Sequence, residues 1–129
     1  MVVELNHTVV AARDKQAASR WLAGVLGLDP PTPYGPFMTV PLSNGVTLDF
    51  IDSAEEVQSQ HYAFLVGDDD FDAIFDRLQA LNVTYYADPG HQQPGVVNTR
   101  DAGRGLYFAD ADGHNLEILT RPYGSGPAD

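Results

Sequence analysis

Four residues in this chain stand where an ionisable side chain is costly. His7 shares one face of an apolar run with Leu5 and Val9, and His61 opens the run His61-Tyr62-Ala63-Phe64-Leu65-Val66. Asp49 lies between Leu48 and Phe50, and Glu117 between Leu116 and Ile118. A carboxylate in the middle of an apolar strand destabilises it unless a partner is supplied. A divalent cation would be such a partner, because it neutralises carboxylates and accepts imidazole nitrogens. Two histidines and one carboxylate form a facial set that leaves positions on the metal open. Open positions are what polarising a substrate oxygen or activating water requires.

Taken one at a time, each histidine is equally well explained as a satisfied core residue, and the glutamate as an edge residue. A repeat in the chain changes that balance. Val3–Val10 has strand periodicity. Asp14 is a helix N-cap, Ala17, Trp21, Leu22, Val25 and Leu26 recur at helical spacing, and Gly27 supplies the C-cap. Pro30–Pro36 is a proline-rich loop. Phe37–Pro41 and Val46–Ile51 are strands joined across Ser43-Asn44-Gly45, a tight-hairpin signal. After the polar stretch Ser53–Gln60 the pattern starts again. His61–Val66 is a strand, and Asp68, Asp69 and Asp70 crowd a helix start. Phe71, Ile74, Phe75, Leu78 and Leu81 form the apolar stripe, ended by Asn82. Val83–Tyr86 is a short strand, 87–105 a long polar loop, and Leu106–Ala109 and Asn115–Thr120 are strands around the Asp112-Gly113 turn. The registers agree: His7 precedes Lys15 by eight positions and His61 precedes Asp69 by eight, while Gly45 precedes Asp49 by four and Gly113 precedes Glu117 by four.

The chain is therefore expected to be α+β, two βαβββ modules at about 1–53 and 60–123 with sheets around a central metal site. Residues 124–129 are expected to be a flexible tail. Each module opens with a histidine and closes with a carboxylate, so His7, His61 and Glu117 are assigned as ligands of one divalent ion. Zn, Ni, Mn, Fe and Co all suit the donors. Asp49 stays open between a fourth ligand, a base beside the metal, and a carboxylate hydrogen-bonded without metal. Trp21, Phe71 and Phe75 belong to helix stripes and are expected in the core. His114 has the opposite strand parity to Glu117 and is not assigned as a ligand.

Composition narrows the partners. The 129 residues suit one domain, and 43% of them are hydrophobic, enough for a sizeable core. Seven basic residues against 18 acidic ones give a net charge of −11, which repels phosphate backbones and anionic lipid. Neither nucleic acid nor a membrane is an expected partner. The chain has no cysteine, so disulfides and thiolate chemistry are absent, and a cytoplasmic location is expected. The first residues lack the pattern of a signal peptide.

The repeated plan resembles the vicinal-oxygen-chelate superfamily, which includes glyoxalase I, fosfomycin-resistance enzymes, extradiol dioxygenases and bleomycin-resistance proteins. The resemblance covers roughly Val2 to Tyr123. Its most specific stretch is Tyr107-Phe108-Ala109-Asp110-Ala111-Asp112-Gly113-His114-Asn115-Leu116-Glu117, with Ala111 where proline is usual; Leu5-Asn6-His7 and His61-Tyr62-Ala63-Phe64 also match. The resemblance implies His7, His61 and Glu117 as metal ligands and puts Asp49 where glyoxalase I-like members carry a glutamate that doubles as base. It also implies a homodimer, with His7 and Asp49 of one chain opposite His61 and Glu117 of the other.

Subfamily signatures divide. Tyr107 stands ten positions before Glu117, the spacing of the extradiol tyrosine, but no histidine lies between His7 and His61 to act in the second sphere. Val9 occupies the place of a fosfomycin-type threonine, and Asn98–Gly105 lacks serine. Asp49 and Glu117 together would serve isomerisation. Arg100 and Arg104, in the loop before Tyr107, are candidates to clamp an anionic substrate group, against the alternative of solvated loop arginines. The expected function is a metal-dependent enzyme acting on a small oxygenated molecule, of isomerase, lyase, transferase or dioxygenase type. Asp49 or Glu117 would move a proton and Tyr107 would donate a hydrogen bond. The rival is a non-catalytic protein of the bleomycin-resistance type that sequesters an aromatic or antibiotic ligand, for which the Pro30–Phe37 segment with Tyr34 would be a wall.

Overall fold

The computed structural model describes residues 1–127. The chain divides into two compact units, Met1–Gln58 and the residues from Ser59 onward. In the first unit the elements are β1 (His7–Ala12), α1 (Lys15–Leu26), β2 (Thr32–Tyr34), β3 (Phe37–Pro41) and β4 (Thr47–Asp52). In the second they are β5 (His61–Leu65), α2 (Asp68–Ala80), β6 (Tyr85–Tyr86), a 3₁₀ turn (Arg100–Ala102), β7 (Gly105–Ala109) and β8 (Asn115–Leu119). Each unit forms a four-stranded mixed sheet, in the orders β1-β4-β3-β2 and β5-β8-β7-β6. The expected repeat is thus an α+β architecture with one strand order used twice.

The topology explains why a histidine and an acid share one side of the sheet in each unit. The first strand pairs in parallel with the last, with the helix as the crossover. Val9 faces Asp49 and His7 faces Thr47; in the second unit Ala63 faces Glu117 and His61 faces Asn115. Each acid therefore sits on a central strand, two residues along from the histidine's partner and on the same side of the sheet. The other side is the core. Val10, Ala12, Met38, Val40, Leu48 and Phe50 are buried in the first unit, and Phe64, Leu106, Phe108, Leu116 and Ile118 in the second.

Local signals hold well in α1. The Asp14 carboxylate accepts from the backbone N–H of Gln16 at 3.0 Å and Ala17 at 3.1 Å, and Gly27 closes the helix at φ 73°. Asp14→Ala is expected to cost about 1 kcal/mol, read as a lowered urea midpoint; a shift within error would mean the cap is replaced by water. By contrast α2 has Gly67 at its N-cap and no side-chain cap, so Asp68, Asp69 and Asp70 support its start only through the dipole. Phe71, Ile74 and Leu78 are buried along it, whereas Leu81, read as part of the stripe, is 55% exposed. Phe75 meets Tyr85 edge-on, and both Phe75 and Trp21 are half-buried rather than deep in the core.

Several boundaries differ from the periodicity. Strand β1 begins at His7, and Val3 and Leu5 are exposed beyond it. The proline-rich loop holds the short edge strand β2, where Pro33 needs no ladder donor on its open side. No helix among the described residues is long and apolar enough to cross a membrane. Residues 124–127, expected in the tail, are described: Gly124 and Gly126 donate backbone N–H groups to Asp101. The last two residues of the expected tail lie outside the described residues.

Candidate metal and ligand site

His61 and Glu117 form the centre of the second unit's open face. His61 Nε2 lies 3.1 Å from Glu117 Oε1. Its other nitrogen, Nδ1, lies 2.9 Å from the carbonyl oxygen of Asn115. A carbonyl only accepts, so Nδ1 carries the hydrogen and a neutral ring turns a lone pair at Nε2 toward the carboxylate. Lone pair against carboxylate oxygen is repulsive unless a proton or a cation sits at the contact. Two cis ligands with bonds of about 2.1 Å stand about 3 Å apart, so the pair has the spacing of neighbouring ligands on one ion. A backbone carbonyl orienting the distal nitrogen is the usual support for a metal-bound imidazole. Glu117 is 6% exposed, so a carboxylate there is costly without such a partner.

Tyr107 belongs to the same face. The register aligns Ala63, Glu117, Tyr107 and Tyr86 in one row across β5, β8, β7 and β6. The Tyr107 ring is buried and lies 5.9 Å from the His61 ring, nearly parallel to it. Arg100 donates from Nη1 to the Tyr107 hydroxyl oxygen at 2.9 Å. Burial and then the Glu117 charge push the phenol above its ordinary range, against the opposing pull of Arg100. The hydroxyl is therefore protonated at neutral pH, and with an oxygen lone pair taken by Arg100 its proton is available to donate. Above this row opens a cleft of about 550 Å³, its walls including Leu65, Leu119, Pro89 and Tyr123 and its polar groups His61, Tyr107 and Glu117. A mostly apolar cleft with a few convergent polar groups is the usual form of a small-molecule site.

The first unit carries the equivalent half-set. His7 is exposed at the start of β1, its Nδ1 2.7 Å from the Asn6 side-chain oxygen. Asp49 is half-buried and accepts from Thr47 Oγ1 at 3.2 Å. Across the ladder from Asp49 is Thr39, whose hydroxyl oxygen is buried and has no hydrogen-bond partner. Among the described residues no group of three or more His, Cys, Asp or Glu side chains is gathered around one point. Of the assigned ligands, His61 and Glu117 come together in one unit and His7 belongs to the other.

The two loop arginines part company. Arg100 turns to Tyr107, while Arg104 donates to Asp72 at 2.6 Å and to the Asp68 carbonyl at 3.0 Å, with its guanidinium over the Phe71 ring. Arg104 thus ties β7 to α2. His114 lies buried on the covered face and accepts from the Gln60 backbone N–H. Two residues with supporting roles escaped sequence reasoning. Asn115 orients His61 by its carbonyl and, by its amide, donates to Pro89 while accepting from His91. His91, half-buried in the loop, stacks on Tyr86 at 4.1 Å with φ 57° and so holds the Pro89 wall. Its position beside Asn115 has no signal in the local sequence.

Residues 4–118 match the model of the Glyoxalase/Bleomycin resistance protein/Dioxygenase superfamily. The chain belongs to that superfamily. Within it the chain is similar to Oxidase ChaP-H1, with 57% identity and a TM-score of 0.94 over 95% of this chain and 99% of that one. It is likewise similar to Oxidase ChaP-H2, with 58% identity and a TM-score of 0.95 over 98% and 100%. A more distant superfamily relative is the glutathione transferase FosA of Serratia marcescens, 29% identical over 125 residues, 92% of this chain and 81% of FosA.

Proposed function

We propose that this protein is a metal-dependent oxidase that acts on a small molecule with an apolar body and neighbouring oxygens. The observation that carries the metal is the His61–Glu117 contact at 3.1 Å, with the His61 hydrogen committed to the Asn115 carbonyl. The likeness to two oxidases over nearly the whole chain supports oxidation among the superfamily's chemistries.

His61 and Glu117 would hold the ion, with His7 as the third ligand, and the protein would form a homodimer. When bound, a redox-active divalent ion would polarise the substrate's oxygens and let dioxygen accept its electrons. The chain's own groups do the rest. Tyr107, with its hydroxyl set by Arg100, donates a hydrogen bond to a substrate oxygen as negative charge develops there. Asp49, which accepts from Thr47, would take a proton. The apolar walls exclude water and hold the substrate's body. Arg104 has its donors committed to Asp68 and Asp72, which leaves Arg100 the better placed of the two arginines to serve the site. The lack of cysteine suits a reducing cytoplasm.

The test is oxygen uptake by protein reconstituted separately with Fe(II), Mn(II), Ni(II) and Zn(II), supplied with vicinal diols on one- to three-ring aromatic bodies. Uptake above the protein-free rate is expected with a redox-active metal and is lost in His61→Ala. Tight binding of such a diol with no uptake for any metal, undisturbed by a chelator, would overturn this reading and favour sequestration.

A further inference from the structure

The C-terminal segment fixes the backbone that carries one exposed ring. Tyr123 is 78% exposed, so side-chain packing does little to fix it. The backbone around it is fixed instead. Pro122 O accepts from the Ser125 backbone N–H at 3.1 Å and its hydroxyl at 2.6 Å, closing a turn in which Gly124 has φ 73°. The Asp101 carboxylate then takes the Gly124 N–H on one oxygen at 3.2 Å and the Gly126 N–H on the other at 3.0 Å. A side chain at Gly126 would overlap the Asp101 backbone, so the strap lies directly on the loop. Asp101 and Ala102 sit at φ 56° and 60°, a region that L-residues enter only when their surroundings hold them there.

What the strap positions is a partition. Tyr123 lines the cleft that holds His61, Tyr107 and Glu117. It also lines a shallower recess of about 410 Å³ bounded by Arg100, Asp101, Gly124 and Pro127. A residue common to both cavities stands where a ligand in the first would extend into the second. The same short loop sets both ends of this arrangement: Arg100 holds the Tyr107 hydroxyl, and Asp101, the next residue, holds the strap.

We propose that Tyr123 is a specificity-determining residue, a stop held by the Asp101 strap that admits short apolar ligands to the cleft and rejects elongated rigid ones. This role rests on the cleft being the ligand site of the proposed oxidase. No covalent step is involved.

Two fluorescent or quenchable probes test it on the full chain: 2-naphthol as the short ligand and 1,6-diphenylhexatriene as the rigid rod. Wild type is expected to prefer the naphthol. Tyr123→Ala, which removes an exposed ring and leaves the core intact, is expected to tighten the rod and weaken the naphthol, shifting their affinity ratio about tenfold or more. Asp101→Ala and Gly126→Ala, which free the strap by different routes, should shift the ratio in the same direction. Asp101→Asn, which keeps an acceptor oxygen, should shift it less. Ala63→Trp fills the cleft floor and should block both probes. An unchanged ratio in Tyr123→Ala, with Ala63→Trp still blocking, overturns the role of Tyr123 and leaves the cleft as ligand site. Probes that ignore Ala63→Trp bind elsewhere, and that outcome removes the cleft reading and this proposal together.

Discussion

Glu117→Gln is expected to abolish stoichiometric metal while leaving the metal-free protein at least as stable as the wild type. The first half follows from the loss of a ligand and of its charge: affinity should fall on the order of a hundredfold or more, since even outer-shell changes reach that range. The second half follows from the His61 tautomer. With Nδ1 committed to the Asn115 carbonyl, metal-free wild type leaves the Nε2 lone pair facing a carboxylate at 3.1 Å unless a proton fills the contact. A glutamine amide of the same shape would donate to that lone pair instead and satisfy the contact without a cation. Elemental analysis of both proteins, purified without chelator, reads the metal. Thermal unfolding reads the rest: at a metal concentration a hundred times its Kd, wild type should gain about 2.7 kcal/mol, roughly 10 °C for a chain of this length. The variant should gain nothing. Equal metal content in the two proteins would remove Glu117 from the ligand set.

Phe108→Ala is expected to have the largest effect on stability. Phe108 is fully buried on the covered face of β7, in register with Leu116 on one side and Tyr85 on the other. Removing its ring strips apolar surface and leaves a cavity, for a cost of about 3–5 kcal/mol, against a total stability of about 5–15 kcal/mol for a domain. Urea unfolding followed by Trp21 and tyrosine fluorescence measures it. Its chain neighbour Tyr107 points to the opposite face, so the loss should appear in the unfolding midpoint and not as a change in metal stoichiometry of the folded fraction. A cost below about 1 kcal/mol would mean that the β7–β8 side chains repack around the gap.

The elements of this protein are largely legible in its sequence because they follow from short-range chemistry. The Asp14 cap and the Gly27 close of α1, the Gly45 and Gly113 turns with φ 87° and 82°, and the alternation along β8 each depend on a few neighbouring residues. The repeat can be counted residue by residue. Periodicity gives His61 and Glu117 each a face of its own strand, and the pairing of β5 with β8 then brings the two to the same face of one sheet. The family follows from the same stretch of residues.

What the sequence could not determine are pairings between segments far apart in the chain. Arg100 and Arg104 are alike in type, loop and spacing, yet one turns to the Tyr107 hydroxyl and the other to Asp68 and Asp72 on α2. Position 91 reads as an exposed loop histidine until the fold places Asn115 and Tyr86 beside it. Residues 124–127 have the composition of a frayed end, but Asp101 supplies two acceptors to their backbone. A backbone N–H has the same donor strength in every residue, so whether a polar segment is tied down depends on which acceptor the rest of the fold brings within about 3 Å. That is a property of tertiary position, and no local pattern of side chains encodes it.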